Sequence, residues 1–148
     1  MSKDIKVEMN FDFSKIDLDL SKELNMAGQI IRKDHSKRLE SGRGVNGSSM
    51  KALKPSTIKR KGSSQILVDT GSMKNLEIKE ATKNKQEVII KPHTKKKRKG
   101  VNDQQIGYYH QTGQGHLPKR EWFGISKEAQ DKSEELMERR IIQVIDRV

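Results

Sequence analysis

Hydrophobic and polar residues change period along this chain, and each change marks a predicted element. Ile5, Val7, Met9, Phe11 and Phe13 alternate with Lys6, Glu8, Asn10 and Asp12, the period-2 pattern of a half-buried strand. An N-terminal strand or extended arm over residues 1–19 is predicted. From Leu20 the spacing becomes helical: Leu20, Leu24, Ala27, Ile31 and Leu39 fall on one face, Ile30 widens it, and Asp19 or Ser21 is placed to cap the start. The helix is expected to end near Ser41-Gly42, where glycine accepts a left-handed conformation.

Residues 42–65 lose the periodicity and are predicted as a long loop, broken by a short helical turn starting near Ser56 after Pro55. Two short strands follow, about residues 75–81 and 86–91, joined as a hairpin through Thr82-Lys83-Asn84-Lys85. Residues 92–107 read as a second long loop. The last segment is the clearest helix: Ser126 caps it, and Ala129, Leu136, Met137, Ile141, Val144, Ile145 and Val148 form its apolar face. Acids dominate its first half and Arg139, Arg140 and Arg147 its second, which suits the helix dipole.

Composition narrows what this pattern can build. At 148 residues, with 31% hydrophobic and 34% charged residues, the chain is expected to be one domain with a small core and much exposed surface. It contains no cysteine, which removes disulfides and thiolate metal sites. No apolar run approaches a membrane span, and the opening Met-Ser-Lys-Asp-Ile-Lys lacks the apolar centre of a signal peptide, so the cytoplasm is the expected place of synthesis, with no membrane partner.

Charge adds a second theme. The net charge is +11, and between residues 22 and 62 basic side chains outnumber acidic ones by eleven to three. Lys51, Lys54, Lys59, Arg60 and Lys61 form one basic cluster, and Lys95, Lys96, Lys97, Arg98 and Lys99 form a like-charge run not expected to order by itself. Both are candidate contacts to a polyanion or to an acidic protein face. Tyr108, Tyr109 and Trp122 lie outside the basic run and aromatics are only 4% of the chain, so base-stacking readout has little to rest on.

Candidate chemistry is sparse. Ile66-Leu67-Val68-Asp69-Thr70-Gly71-Ser72 looks like the active-site turn of a retropepsin-like aspartic protease, in which two close carboxylates share a proton. That fold is nearly all-β and needs a late apolar-apolar-Gly segment, whereas the last 23 residues here are a charged amphipathic helix without glycine. The structural alternative is a strand ending in a turn capped by Asp69 or Thr70. His35, His93, His110 and His116 are the only histidines, with no thiolate, no HExxH and no pair at i, i+4; His110 and His116 are expected in a Gly-rich loop, and no metal or other cofactor is expected. No phosphate-cradling Gly loop or nucleophile elbow occurs, so no catalytic residue is assigned.

Five short segments, taken in order, resemble the phage virion-morphogenesis family, small tail-completion or neck proteins of tailed phages. They are Gly47, Met50, Leu53, Thr57 and Lys61; Leu67, Thr70, Gly71 and Met73; a hairpin; Tyr109, His110, Gln111 and Gly113; and Pro118, Arg120, Trp122, Phe123, Gly124 and Ser126 leading into the terminal helix. Met50 stands where the family commonly has an aromatic, and Glu121 where it has an apolar or small residue. The resemblance implies an α+β fold, a small antiparallel sheet packed with an N-terminal and a C-terminal helix, in a ring-forming subunit. It also implies a structural role in tail completion and head-tail joining, in the virion, with other neck, tail-terminator, tail-tube or head-connector proteins as partners and nonspecific contact with packaged DNA. Within that reading Arg120 bonds carbonyls or a carboxylate, Pro118 stiffens the approach to a last strand, and Trp122 or Phe123 anchors that strand on the helices. A basic nucleic-acid-binding protein is the alternative from another class.

Overall fold

A computed structural model of the chain describes residues 4–8, 18–66, 74–93, 97–98 and 100–147. Its elements are β1 (Ile5–Glu8), α1 (Ser21–Glu40), α2 (Pro55–Lys61), β2 (Leu76–Lys79), β3 (Glu87–Pro92), β4 (Lys97–Arg98), β5 (Val101–Asn102), α3 (Asp103–Thr112) and α4 (Lys127–Ile145). The fold is α+β, with the two long helices at opposite ends of the chain.

β1, β3 and β2 form one antiparallel sheet in that order, with Ile5 opposite Ile90, Val7 opposite Val88 and Ile78 opposite Ile90. These apolar cross-strand pairs share one face. On β3 the alternation is strict: Val88, Ile90 and Pro92 are buried, and the residues between them are half-buried. α1 lies on the buried face and comes closest at Gly28, where an added Cβ would meet Val88 Cγ2 at 3.1 Å. A side chain there would force Val88 to give way.

The predicted α1 face is the one buried, Leu24, Ala27, Ile31 and Leu39, but its start is built differently from the expected cap. Leu20 is the N-cap and supplies no side-chain bond, while Asp19 Oδ1 accepts from Ser21 N at 2.9 Å. Two amides then stand in for backbone between helix and hairpin. Gln86 accepts from Leu20 N (2.9 Å) and donates to Leu18 O (3.0 Å), and Asn25 exchanges a pair of bonds with Ala81 at 2.7 and 3.1 Å. At the other end Gly42 sits at φ +66°, and Arg43 N reaches back to Arg38 O at 2.9 Å, a glycine stop of the expected kind.

α4 packs along α1, and Ser126 Oγ accepts from Ala129 N at 3.2 Å as its N-cap. Ala129 and Met137 are buried and Leu136, Ile141 and Val144 half-buried; Ile145, assigned to the apolar face, is 53% exposed. Val144 in its last turn still packs on the cluster of Leu18, Leu20 and Leu24, while Ile142 and Ile145 face away from it.

Three expectations need correction. Residues 92–107 are not one long loop: β4 and β5 pair as a two-residue ribbon through Gly100 at φ +78°, and α3 begins at Asp103. His110 therefore belongs to a helix and not to a Gly-rich loop, although His116 does follow Gly113 and Gly115 in a turn. The strand expected between Pro118 and Ile125 does not form. That segment is irregular: its backbone bonds go to the side chains of Arg38 and Gln111 and to single backbone groups of His110 and Val45, with no run of bonds to a neighbouring strand. Leu67, Thr70 and Gly71, together with Asp69, lie outside the described residues, as do Lys95, Lys96 and Lys99; of Lys97 and Arg98 the backbone alone is described.

Candidate functional site

The motif residues from the second half of the chain converge on Trp122, which is 0% exposed. α3 presents Gln111 toward it. Gln111 Oε1 accepts from Trp122 N (2.9 Å) and from Phe123 N (3.1 Å), and its Nε2 donates to Phe123 O at 3.2 Å. One glutamine thus satisfies three backbone groups of a segment that has no sheet to satisfy them. Four residues earlier on the same helix, Gly107 receives the indole: Trp122 Nε1 donates to Gly107 O at 2.8 Å, and a Cβ at Gly107 would collide with the ring carbon Cζ2. Gly113, at φ +71°, ends α3 and packs against the Lys119 backbone, so the chain can double back beside the helix it has just left.

α1 closes the other side. His35, fully buried, lies with its ring centroid 5.5 Å from that of Trp122, and Phe123 lies 5.5 Å from it as well. Arg38 donates from its guanidinium to Trp122 O (3.2 Å) and Gly124 O (3.3 Å), while its Nε is held by Asp34 at 2.9 Å. A buried arginine needs such partners, because an unpaired charge there costs several kcal/mol, on the order of 3–5.

Arg120 connects this centre to the first motif. Its backbone N donates to His110 O at 2.8 Å, and its side chain donates to Lys51 O (2.9 Å) and Ala52 O (3.3 Å). The expected carbonyl contacts are present. Val45 N adds a bond to Glu121 O at 2.9 Å, and Met50 is buried in the same core cluster as Trp122 and Phe123. Segments around residues 45–52, 107–113 and 118–126 therefore form a single knot.

His110 sits beside the knot with a pKa pushed down to about 4 from 6.5, first by burial and then by the charges of Arg120 and Lys61. It is neutral at physiological pH and has no hydrogen-bond partner at Nδ1. Burial also pulls Arg120 below its ordinary value. Neither group faces a nucleophile or a carboxylate in the contacts described. Tyr108 and Tyr109 pack edge to face at 6.4 Å, both half-buried.

The side chains of the basic cluster lie at the surface, although the Lys51 carbonyl belongs to the knot. Lys51, Lys54, Lys59 and Arg60 are exposed, Lys61 donates to Gln65 O at 2.6 Å, and no residue of α2 is buried. α2 ends at Gly62, φ +72°. Among the described residues no group of three or more His, Asp or Glu side chains converges as a metal site, and no helix is long and apolar enough to cross a membrane.

Sequence reasoning missed Arg38, Asp34 and Gly107. Asp34 and Arg38 stand at i, i+4 on α1, spacing that does not by itself separate a surface pair from a buried one, and only the packing of Trp122 shows Arg38 turned inward. Gly107 gave a weak signal, a lone glycine four residues before a glutamine, which becomes meaningful only once α3 is known to exist. No protein-family model matches this chain, and neither a curated protein nor a solved structure matches it.

Proposed function

We propose that this chain is a non-enzymatic structural protein of a tailed-phage particle, completing the neck or tail end so that head and tail join, and that it works as a homo-oligomeric ring. What carries the proposal is how the resemblance residues are used. Gln111, Arg120 and Trp122 spend their polar atoms on backbone groups of other motif segments, which is the behaviour of residues kept for shape and not for catalysis. The basic segment next to them is left bare, as an assembly surface would be. The protease reading loses its late supporting strand, because the segment where it would lie is α4.

Nucleic-acid binding is the second reading, favoured by the exposure of Lys51, Lys54, Lys59 and Arg60.

Deletion of the gene from the phage genome that carries it tests the proposal. Electron microscopy of the lysate is expected to show filled heads and separate or misfinished tails, restored to joined particles by the gene in trans. Normal numbers of joined, infectious particles in the deletion would overturn it.

A further inference from the structure

An apolar groove of about 640 Å³ runs between α1, β1 and α4. Val7, Leu24, Met137 and Ile141 line its floor, and Ile142 stands 50% exposed at its edge. The charged residues that line it are Glu8, Glu134 and Glu138, all carboxylates. Glu8 is paired with Lys6 at 2.8 Å and Glu134 Oε1 accepts from Gln130 Nε2 at 2.9 Å, but no described cation pairs with Glu134 or Glu138, although Glu128 and Glu135 on the same helix are held by Lys132 and Arg139. An apolar floor with an acidic rim fits a segment of the opposite character, apolar in the middle and basic at its edges.

The chain carries such a segment on another part of its surface. Between Ser41 and Ile66 there is no Asp or Glu, and Arg43, Lys51, Lys54, Lys59, Arg60 and Lys61 are all basic. Within it α2 buries nothing, and Ile58 is only half-covered. No residue from 41 to 66 lines the groove, so a subunit's own basic segment does not fill it. Residues 9–17, which follow β1, carry Asp12 and Asp17 against a single Lys15, a charge that opposes the rim.

We infer that the basic segment of residues 51–62 in one subunit docks into the α1–β1–α4 groove of the next copy, Ile58 toward the apolar floor and Lys54, Lys59 and Arg60 toward Glu134 and Glu138. The two surfaces differ, so the contact is head-to-tail. Repeated around an axis, such a contact closes into a ring or propagates as a filament. The inference rests on the ring reading above and names the surfaces that make it.

Light scattering on the purified full chain tests it, using two variants that alter exposed side chains only, Glu134→Lys/Glu138→Lys and Lys59→Glu/Arg60→Glu. Wild type is expected to be oligomeric and to weaken with added salt, because exposed charges are screened. Each variant, with an unchanged circular dichroism spectrum, is expected to need more than about tenfold higher concentration to assemble. An equimolar mixture of the two is expected to recover assembly, because each reversed surface then meets a reversed partner. A monomeric wild type, variants that assemble as wild type does, or a mixture that stays apart would each overturn the contact; the last two point to a self-symmetric interface or to groove occupancy by residues 9–17. If both variants assemble normally while gene deletion still blocks joining, this contact is lost and the assembly reading stands. Normal joining in the deletion removes that reading whatever light scattering gives.

Discussion

At Gly107 two opposing effects of a single methyl can be weighed. Alanine is the better helix former by about 1 kcal/mol, which favours Gly107→Ala inside α3. Its Cβ, however, would enter the space of the Trp122 ring, which is pinned by its own bond to Gly107 O and by His35 and Phe123 around it. Overpacking against a fixed aromatic costs about 1–3 kcal/mol. A net loss of stability in urea denaturation is therefore expected, and a gain would mean that the indole is free to move. His110 gives a second test. Unfolded, it takes up a proton near 6.5; folded, only near 4, so between these values the unfolded state binds more protons and stability falls as pH drops. The loss builds up from about pH 6.5 downward and levels off below about 4, amounting to roughly 3 kcal/mol at most. Replacing His110 with Gln is expected to flatten this part of a stability-versus-pH curve, whereas an unchanged slope would place the titration elsewhere. The Asp19 carboxyl, held low mainly by its hydrogen bonds to Ser21, acts in the same direction but only in more acidic solution.

The elements divide by how much of their cause is local. α1, α4, α2 and the β2–β3 hairpin were legible because their periods, caps and turn residues lie within the elements themselves: the Leu24–Leu39 stripe, Ser126, Pro55, and the polar run at 82–85. α3 was not. Its sequence, Asp-Gln-Gln-Ile-Gly-Tyr-Tyr-His-Gln-Thr, has a central glycine and a single aliphatic residue, and its inward-facing side depends on Trp122 fifteen residues away. The missing strand at 118–125 fails for the same reason, since its bonding partners include the Gln111 and Arg38 side chains, which no period reveals. Arg120 was legible as a carbonyl donor, and its actual acceptors, Lys51 and Ala52, came only with the fold. At this scale α2 is the exposed outlier, with basic residues and no buried side chain. Limited trypsin digestion of the isolated protein is expected to cut first within residues 51–61, and assembly is expected to protect that stretch. First cuts within α1 or α4 would contradict it.

The whole molecule combines a small core with two surfaces of opposite character, an acid-free basic segment and an acid-rimmed apolar groove. The motif residues are tied into backbone contacts, and these two surfaces are the ones that the proposed assembly role would use. The proposal that the protein itself makes heads and tails join meets its sharpest test in complementation in vitro. Purified protein is added to a lysate of the gene deletion, containing filled heads and separate tails, and infectious particles are counted. The count is expected to rise with added protein, and raising the salt concentration is expected to weaken the effect. A count that stays at the background of the deletion lysate, with folded protein in excess, would contradict it.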